Sequence, residues 1–446
     1  MKILFVSLGC DKNLADTEEM LGILNQKGYS FTDDENEADV IIVNTCSFIS
    51  DAKEESIQTI LEMAEHKKQG EGNCKVLLAT GCLVQRYKEE ILEEIPELDG
   101  VLGVFSCDHI AELVENTLEK KGQKTVFVED KREVPYTSNN RVVTTGGHYA
   151  FLKIAEGCDK HCTYCAIPAI RGSYHSVPME QLVEQAKAMA KDGVKELIIV
   201  AQETTLYGTD IYGYKALPKL LEELAKIDGI YWIRLQYCYP EEITRELIET
   251  MAREPKICHY LDIPIQHSSN AVLKRMGRKT TRESIISQIQ MIREILPDVA
   301  LRTTFIAGFP GEMDENHKEN LEFIDEMKFD RLGVFTYSME EGTPAAKMED
   351  QIDEEVKEDR MADIMELQQE IAFEKSEQMV GKKLYVMIEG KVADDHAYVS
   401  RTYMDAPNVD GYLFVQTDEE LMTGDFVKVL VTGAVEYDLI GEPVYE

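Results

Sequence analysis

Cys158, Cys162 and Cys165 stand in a C-x3-C-x2-C spacing within Gly157-Cys158-Asp159-Lys160-His161-Cys162-Thr163-Tyr164-Cys165. Three thiolates on one short loop can cap three corners of a cuboidal 4Fe–4S cluster. The fourth iron then lacks a protein ligand, and an open position on a redox metal invites a substrate. Two other readings use the same residues. Zinc could take the three cysteines plus His161, although neighbours such as His161 and Cys162 rarely both reach one tetrahedral ion. A redox C-x-x-C built from Cys162 and Cys165 leaves Cys158 without a role.

A second set, Cys10, Cys46 and Cys82, recurs at intervals of 36 residues. Each follows an apolar run, in ILFVSLGC, VIIVNTC and VLLATGC. In a doubly wound parallel sheet the C-terminal strand ends line one crevice. One βα unit per cysteine therefore brings three thiolates to the same edge, and small neighbours (Gly9, Thr45, Gly81) leave room for a second three-cysteine cluster. The competing reading is that buried cysteine is a common core residue. It suits Cys74, Cys107, Cys238 and Cys258, which share no such register. A catalytic thiol would need a histidine, and the segment before Cys107 offers only His66.

The elements that must position these residues follow from periodicity. Apolar runs at Ile3–Ser7, Val40–Asn44 and Lys75–Thr80 alternate with helical patterns at Asp16–Lys27, Asp51–Lys68 and Gln85–Glu94, with Ser106–Lys121 as a closing helix. Repeated βαβ units predict a doubly wound parallel sheet over residues 1–130. A polar stretch, Glu129–Gly147, holds Pro135 and Gly146-Gly147 and is read as a linker centred on 131–147. Six strand candidates follow: Phe151–Glu156, Glu196–Gln202, Tyr231–Tyr237, Tyr260–Gln266, Ala300–Ala307 and Leu332–Tyr337. With helices between them they predict a partial (β/α)6 barrel of the TIM type over 148–375, two units short of a full one. The C-x3-C-x2-C loop then sits at the C-terminal mouth, just after the first strand. A charged amphipathic helix spans Asp353–Met379. Short alternating strands at Lys383–Glu389, Ala397–Arg401, Gly411–Gln416 and Phe426–Thr432 predict a small antiparallel OB-like β-barrel over 376–446.

Composition narrows the partners. The 446 residues are 44% hydrophobic and 29% charged, enough for a packed core of two to four domains. No apolar run approaches the roughly 18 residues of a membrane helix. The opening MKILFVSLGC is too short in its apolar part for a signal peptide, so a cytoplasmic protein is expected. There, ten cysteines argue for metal ligands, thiols or packing rather than disulfides. A formal charge of −36 repels a phosphate backbone and makes direct nucleic-acid binding an unfavoured role.

Taken together, Ser7–Asn13 (SLGCDKN), Asn44–Phe48 (NTCSF), Thr80–Cys82 (TGC), the central triad with Tyr164 before its last cysteine, and Gly308–Glu312 (GFPGE) resemble the radical SAM methylthiotransferases along essentially the whole chain. The resemblance implies two 4Fe–4S clusters, a sulfur on the head cluster methylated by one S-adenosylmethionine (SAM), and a second SAM that yields a 5′-deoxyadenosyl radical at the central cluster. It implies an external reductant such as flavodoxin or ferredoxin and a terminal barrel of the TRAM type. Two branches exist, one acting on an adenosine beside the tRNA anticodon, the other on an aspartate of a small-subunit ribosomal protein. Leu8-Gly9-Cys10-Asp11-Lys12-Asn13-Leu14 looks like the protein branch, which usually has Pro where Asp11 stands. Asn44–Ile49 is also close, though Gly is usual where Ser47 stands, and Ala166–Gly172 fits. Asp405-Ala406-Pro407-Asn408-Val409-Asp410-Gly411 matches that branch's tail element, so Asp405, Pro407 and Asp410 are expected to meet the substrate.

Charge argues the same way independently. From Gly381 to Glu446 there are five Lys and Arg against thirteen Asp and Glu. OB-type barrels that track nucleic acid need a positive groove, whereas an acidic one suits a basic ribosomal protein. A merely solvated acidic face remains the alternative.

Resemblance and strand-end position together imply a SAM pocket. Tyr164 is placed for the adenine, Glu203 for the ammonium or a ribose hydroxyl, Gln266 beside His267 at the fourth strand end, and Arg302 for the methionine carboxylate. Gly308 and Gly311 would let backbone approach the adenine. His267 also reads as a hydrogen-bonded loop histidine, and Glu312 as a helix-start acid. The rival functions are a tRNA adenosine methylthiotransferase, an iron–sulfur electron-transfer or scaffold protein, and a non-catalytic ribosome-binding factor with zinc in the cysteine sites.

Overall fold

The computed structural model describes residues 1–67, 73–120, 122–130, 140–393 and 396–444. Its first sheet has six parallel strands in the order Ser30–Phe31, Lys2–Ser7, Val40–Thr45, Val76–Gly81, Gly100–Leu102, Thr125–Phe127. The two central strands are wholly buried, as a parallel sheet covered on both faces requires. One face packs Ile41, Val43 and Leu77 against Ile60 of helix Ser50–Glu65. The other packs Ile42 and Leu78 against Met20 and Leu24 of helix Asp11–Gln26 and Val114 of helix Ile110–Glu119. The expected helix over Gln85–Glu94 is instead two pieces, Cys82–Tyr87 and Glu90–Glu94. Lys88 between them is left-handed at φ 51°, which breaks the ladder. Of the expected linker, 131–139 lie outside the described residues, as do Lys68 and Lys121 at two expected helix ends. Arg141 is anchored: its guanidinium pairs with buried Glu18 and donates to the Phe151 carbonyl at 2.6 Å.

The second sheet is parallel and also six-stranded: Arg331–Thr336, Ala300–Ala307, Ile257–Gln266, Trp232–Leu235, Glu196–Val200, Tyr149–Lys153. Its ends do not pair, so the barrel is partial. The outward-facing side chains, such as Leu152, Ile199, Leu235 and Ile263, form the largest core with the surrounding helices. Helix Glu354–Glu377 joins that core through Ile364 and Ile371.

The last domain is a closed five-stranded barrel: Lys383–Lys391, Ala397–Thr402, Leu413–Gln416, Asp438–Pro443, Phe426–Val435. It is not antiparallel throughout, because Leu413–Gln416 and Asp438–Pro443 run parallel. A closed ring of five strands cannot alternate direction all the way round, so one parallel pair is unavoidable.

This small barrel plugs the base of the half-barrel. Met387, Met404, Ala406 and Phe426 pack on the inward-facing Tyr149, Ile198, Trp232 and Tyr260. Buried ion pairs reinforce the apolar contact. Glu196 lies 2.7 Å from both Arg234 and Arg401. Arg331 pairs with Asp405. Asp410 meets Arg302 at 3.4 Å and accepts from the Tyr260 hydroxyl at 2.9 Å. The expectation that Asp405, Pro407 and Asp410 face a substrate is corrected here. Pro407 is buried and both carboxylates are almost fully enclosed, with side chains 3% and 2% exposed. A buried carboxylate must be paired, and these two are paired within the chain.

Candidate active site

The strands of the head sheet end level with one another. Ser7 pairs with Asn44 and Asn44 with Thr80, so Cys10, Cys46 and Cys82 leave the sheet at one edge. The approach is close. A Cβ on Gly9, which is left-handed at φ 84°, would lie 2.9 Å from the Cys46 Sγ. Asn13 ties the three loops together. Its amide donates to the carbonyls of Leu8 at 3.0 Å and Thr45 at 2.8 Å, and its oxygen accepts from the Cys82 thiol at 3.7 Å. Burial pushes the Cys82 thiol up to about 12, against the opposing pull of the Arg171 guanidinium; a bound metal would displace its proton.

In the central loop, Cys158 and Cys162 are buried and Cys165 partly so. The loop is clamped from outside: the Thr163 N–H donates to the Met276 carbonyl at 2.9 Å and its hydroxyl to the Arg275 carbonyl at 2.8 Å. His161 is left-handed at φ 51° and exposed, away from the thiols. Burial raises Cys158 to about 11 and Cys165 to about 12, and the neighbouring thiols add to both shifts. Among the described residues, no three His, Cys, Asp or Glu side chains converge as ligands of a single metal ion. In a cuboidal cluster each thiolate takes its own iron.

The expected SAM residues divide. Glu203 is 1% exposed; one carboxylate oxygen accepts from the Thr205 N–H at 2.8 Å and the other has no partner. Burial raises its carboxyl to about 7. Orphaned acceptors on Gln202 and Gln236 lie at neighbouring strand ends. A ligand rich in donors, with an ammonium and ribose hydroxyls, fits this set. Tyr164 packs edge-on to Phe309, ring centres 6.4 Å apart. Gln266 is left-handed at φ 74° and Tyr237 at φ 58°. Such strain gathers at functional sites. Arg302 is not free for a methionine carboxylate, because Asp262 at 3.1 Å and Asp410 already hold it. The glycines at 308 and 311 answer to the chain's own packing: a Cβ would strike Lys357 at 2.2 Å and Asp350 at 2.5 Å respectively. Glu312 pins the same turn, accepting from the Gly308 N–H at 2.7 Å, and His267 accepts from the Ser269 N–H at 2.9 Å. Cys74, Cys107, Cys238 and Cys258 sit in apolar clusters, as expected of core residues.

Sequence reasoning missed the group that joins the two cysteine sets. Arg171 is 2% exposed. Its guanidinium donates twice to the Cys82 Sγ at 3.3 Å, to Asp16 at 2.7 Å and to Glu156 at 3.1 Å. Lys153 pairs with the same two carboxylates. Glu156 immediately precedes Gly157-Cys158. One buried charge network thus runs from the head cysteines to the central loop. Its signal was present: Lys153 and Glu156 are charges inside the expected first barrel strand Phe151–Glu156, and charges are almost never fully buried unless paired.

Three family models match the chain in succession: Uncharacterized protein family UPF0004 over residues 2–103, the Radical SAM superfamily over 152–324 and the TRAM domain over 380–444. The chain is 61% identical to ribosomal protein uS12 methylthiotransferase RimO of Lachnoclostridium phytofermentans, covering 99% of each. It is 50% identical to the protein of that name from Acetivibrio thermocellus, covering 100% of this chain and 99% of the relative. For Clostridioides difficile the identity is 49% with the same coverage. Among solved structures, the radical SAM methyltransferase TsrM from Kitasatospora setae, with cobalamin and a [4Fe-4S] cluster bound, superposes with a TM-score of 0.53 at 14% identity, over 85% of this chain and 78% of that one. That likeness concerns the fold. The sequence likeness runs end to end through both cysteine sets, and the chain belongs to the radical SAM methylthiotransferases, in the ribosomal protein uS12 branch.

Proposed function

We propose that this enzyme inserts a methylthio group at the β-carbon of an aspartate in ribosomal protein uS12, with Cys158, Cys162 and Cys165 holding one 4Fe–4S cluster and Cys10, Cys46 and Cys82 a second. When bound, the central cluster and SAM supply a radical able to cleave an unactivated C–H bond, and the head cluster supplies the sulfur. The observation that carries the reading is Arg171, which touches Cys82 and Glu156 together and so fixes both cysteine sets on one junction. The chain's own residues do the positioning. Asn13 locks the three head loops. Glu203, Gln202 and Gln236 offer acceptors to SAM. The apolar and ion-paired seat of the terminal barrel keeps water from the base of the half-barrel. No general base is required for hydrogen abstraction.

A basic substrate suits the surface that remains acidic after Asp405 and Asp410 are accounted for, including exposed Asp418, Glu419, Glu420, Glu436 and Glu442. Among the described residues no helix is long and apolar enough to cross a membrane. The reductant class expected is a flavodoxin or ferredoxin. To test the function, the anaerobically reconstituted, reduced protein is given SAM with a uS12 peptide and, separately, a tRNA anticodon stem-loop. A methylthio mass gain on the peptide aspartate alone is expected; a gain on the RNA instead would sink the reading.

Glu203 makes SAM binding pH-dependent. The ammonium of SAM needs the carboxylate form, and protons compete for it below the raised value of about 7. SAM affinity is therefore expected to be level above pH 7 and to fall by up to about tenfold per unit below it. A Glu203→Gln variant should bind weakly with a flat profile. Equilibrium binding across pH 5.5–8.5, where ~7 marks the expected bend, checks both.

A further inference from the structure

Lys12 is a buried cation without a counter-ion. It lies two residues beyond Cys10, in the first turn of the 16-residue helix Asp11–Gln26, and is 6% exposed. Among the described residues no carboxylate oxygen lies within 4.0 Å of its Nζ. The ammonium sits instead 3.2 Å from the centre of the Tyr237 ring. That ring is deliberately held. Tyr237 is left-handed at φ 58°, its N–H donates to Asp262 at 3.1 Å, and its carbonyl accepts from the Thr204 N–H at 3.1 Å.

Two of the acids nearby are committed to other partners. Asp262 serves Arg302 and the Tyr237 N–H. Asp410 serves Arg302, Tyr260 and the Ala406 N–H. Asp11, next along the chain, has Lys12 as its leading charge neighbour, ahead of Arg302, but its carboxylate stands beyond the 4.0 Å pairing distance. Desolvating an ammonium without an anion is costly. The same helix start adds to the positive potential, since its N-cap, Cys10, supplies no side-chain bond to the free N–H groups. The place therefore asks for an anion from outside the chain.

We propose that Lys12 binds the side-chain carboxylate of the substrate aspartate and so selects aspartate over its uncharged analogues. The proposal rests on the aspartate reading above. A carboxylate held at Lys12 would lie two residues along the chain from Cys10 and against Tyr237, just past the end of the half-barrel strand Trp232–Leu235. Lys12 is then the specificity-determining residue, supported by the face of Tyr237.

The test compares two peptides that differ only in Asp or Asn at the target position, using the full-length reconstituted enzyme. The wild type is expected to favour Asp in kcat/KM by about 10- to 100-fold. Lys12→Gln should lose that preference, mostly through a raised KM for the Asp peptide, while Lys12→Arg should keep it. Iron content and peptide-free SAM cleavage show whether each variant is loaded. Peptide binding to the unreduced, SAM-loaded protein, read by anisotropy, gives the same Asp-over-Asn ratio without turnover. A Lys12→Gln enzyme that retains the wild-type preference in either readout overturns the assignment of Lys12 alone. A wild-type enzyme that modifies neither peptide overturns the aspartate reading and this proposal with it.

Discussion

With Cys10, Cys46 and Cys82 all replaced by alanine, the enzyme is expected to cleave SAM at close to the wild-type rate and to form no methylthio product. Replacing Cys158, Cys162 and Cys165 instead should abolish both reactions, and either triple variant should hold about half the wild-type iron, as one cluster per three cysteines requires. The physical basis is that the two sets are separate ligand groups on separate sheets, joined by the buried charge network around Arg171. Removing the head thiols does not strand that guanidinium, because Asp16, Glu156 and Asn13 still accept from it. Burial pushes the Cys82 thiol up to about 12 and the Cys158 thiol up to about 11. Iron analysis, chromatography of 5′-deoxyadenosine and peptide mass spectrometry provide the readouts. If the head variant lost SAM cleavage while its central cluster remained loaded, the division of labour would be wrong.

Glu196→Gln is expected to cost about 3–5 kcal/mol of stability, the range for removing one partner of a buried ionic group. Glu196, Arg234 and Arg401 all have side chains that are 0% exposed. Burial pushes the Glu196 carboxyl up, but Arg401 and Arg234 outweigh it and hold the group below its ordinary value of 4.5. A carboxylate lowered in the folded state contributes fully above its unfolded value, and that contribution is lost as pH falls on through its lowered folded-state value. The variant should therefore resemble the wild type most closely in acid and differ most near neutrality. Urea unfolding at pH 7 and at pH 4 measures this, and limited proteolysis should find the terminal barrel released first. A loss under about 1 kcal/mol at pH 7 would mean the two arginines find other partners, as Arg401 already has in Glu389 at 2.7 Å.

The cysteines were legible because their information is local. A C-x3-C-x2-C loop is read in eight residues, and the head trio announces itself through three apolar runs of matching length. The βα alternation was equally plain, since wholly buried parallel strands such as Val40–Thr45 leave unbroken apolar runs. The strands Gly100–Leu102 and Thr125–Phe127 went unread because three residues carry no period. Arg171 and Glu196 went unread for a different reason. Their partners lie far along the chain, Asp16 at a separation of 155 and Arg401 at 205, and no spacing rule reaches that far. Asp405 and Asp410 misled because a match to a family's tail element does not say what its acids touch. Only the arginines on strands of another domain show that they are not.

The seat of the terminal barrel bears on how freely the parts of this chain can be exchanged. The acids that lock it, Asp405 and Asp410, belong to the tail, while Arg302 and Arg331 belong to the half-barrel. A chimera carrying the tail of a relative that reads another substrate would inherit half of each lock. Unless both arginines and Glu196 are rewritten with it, the graft leaves uncompensated charges facing each other at the join.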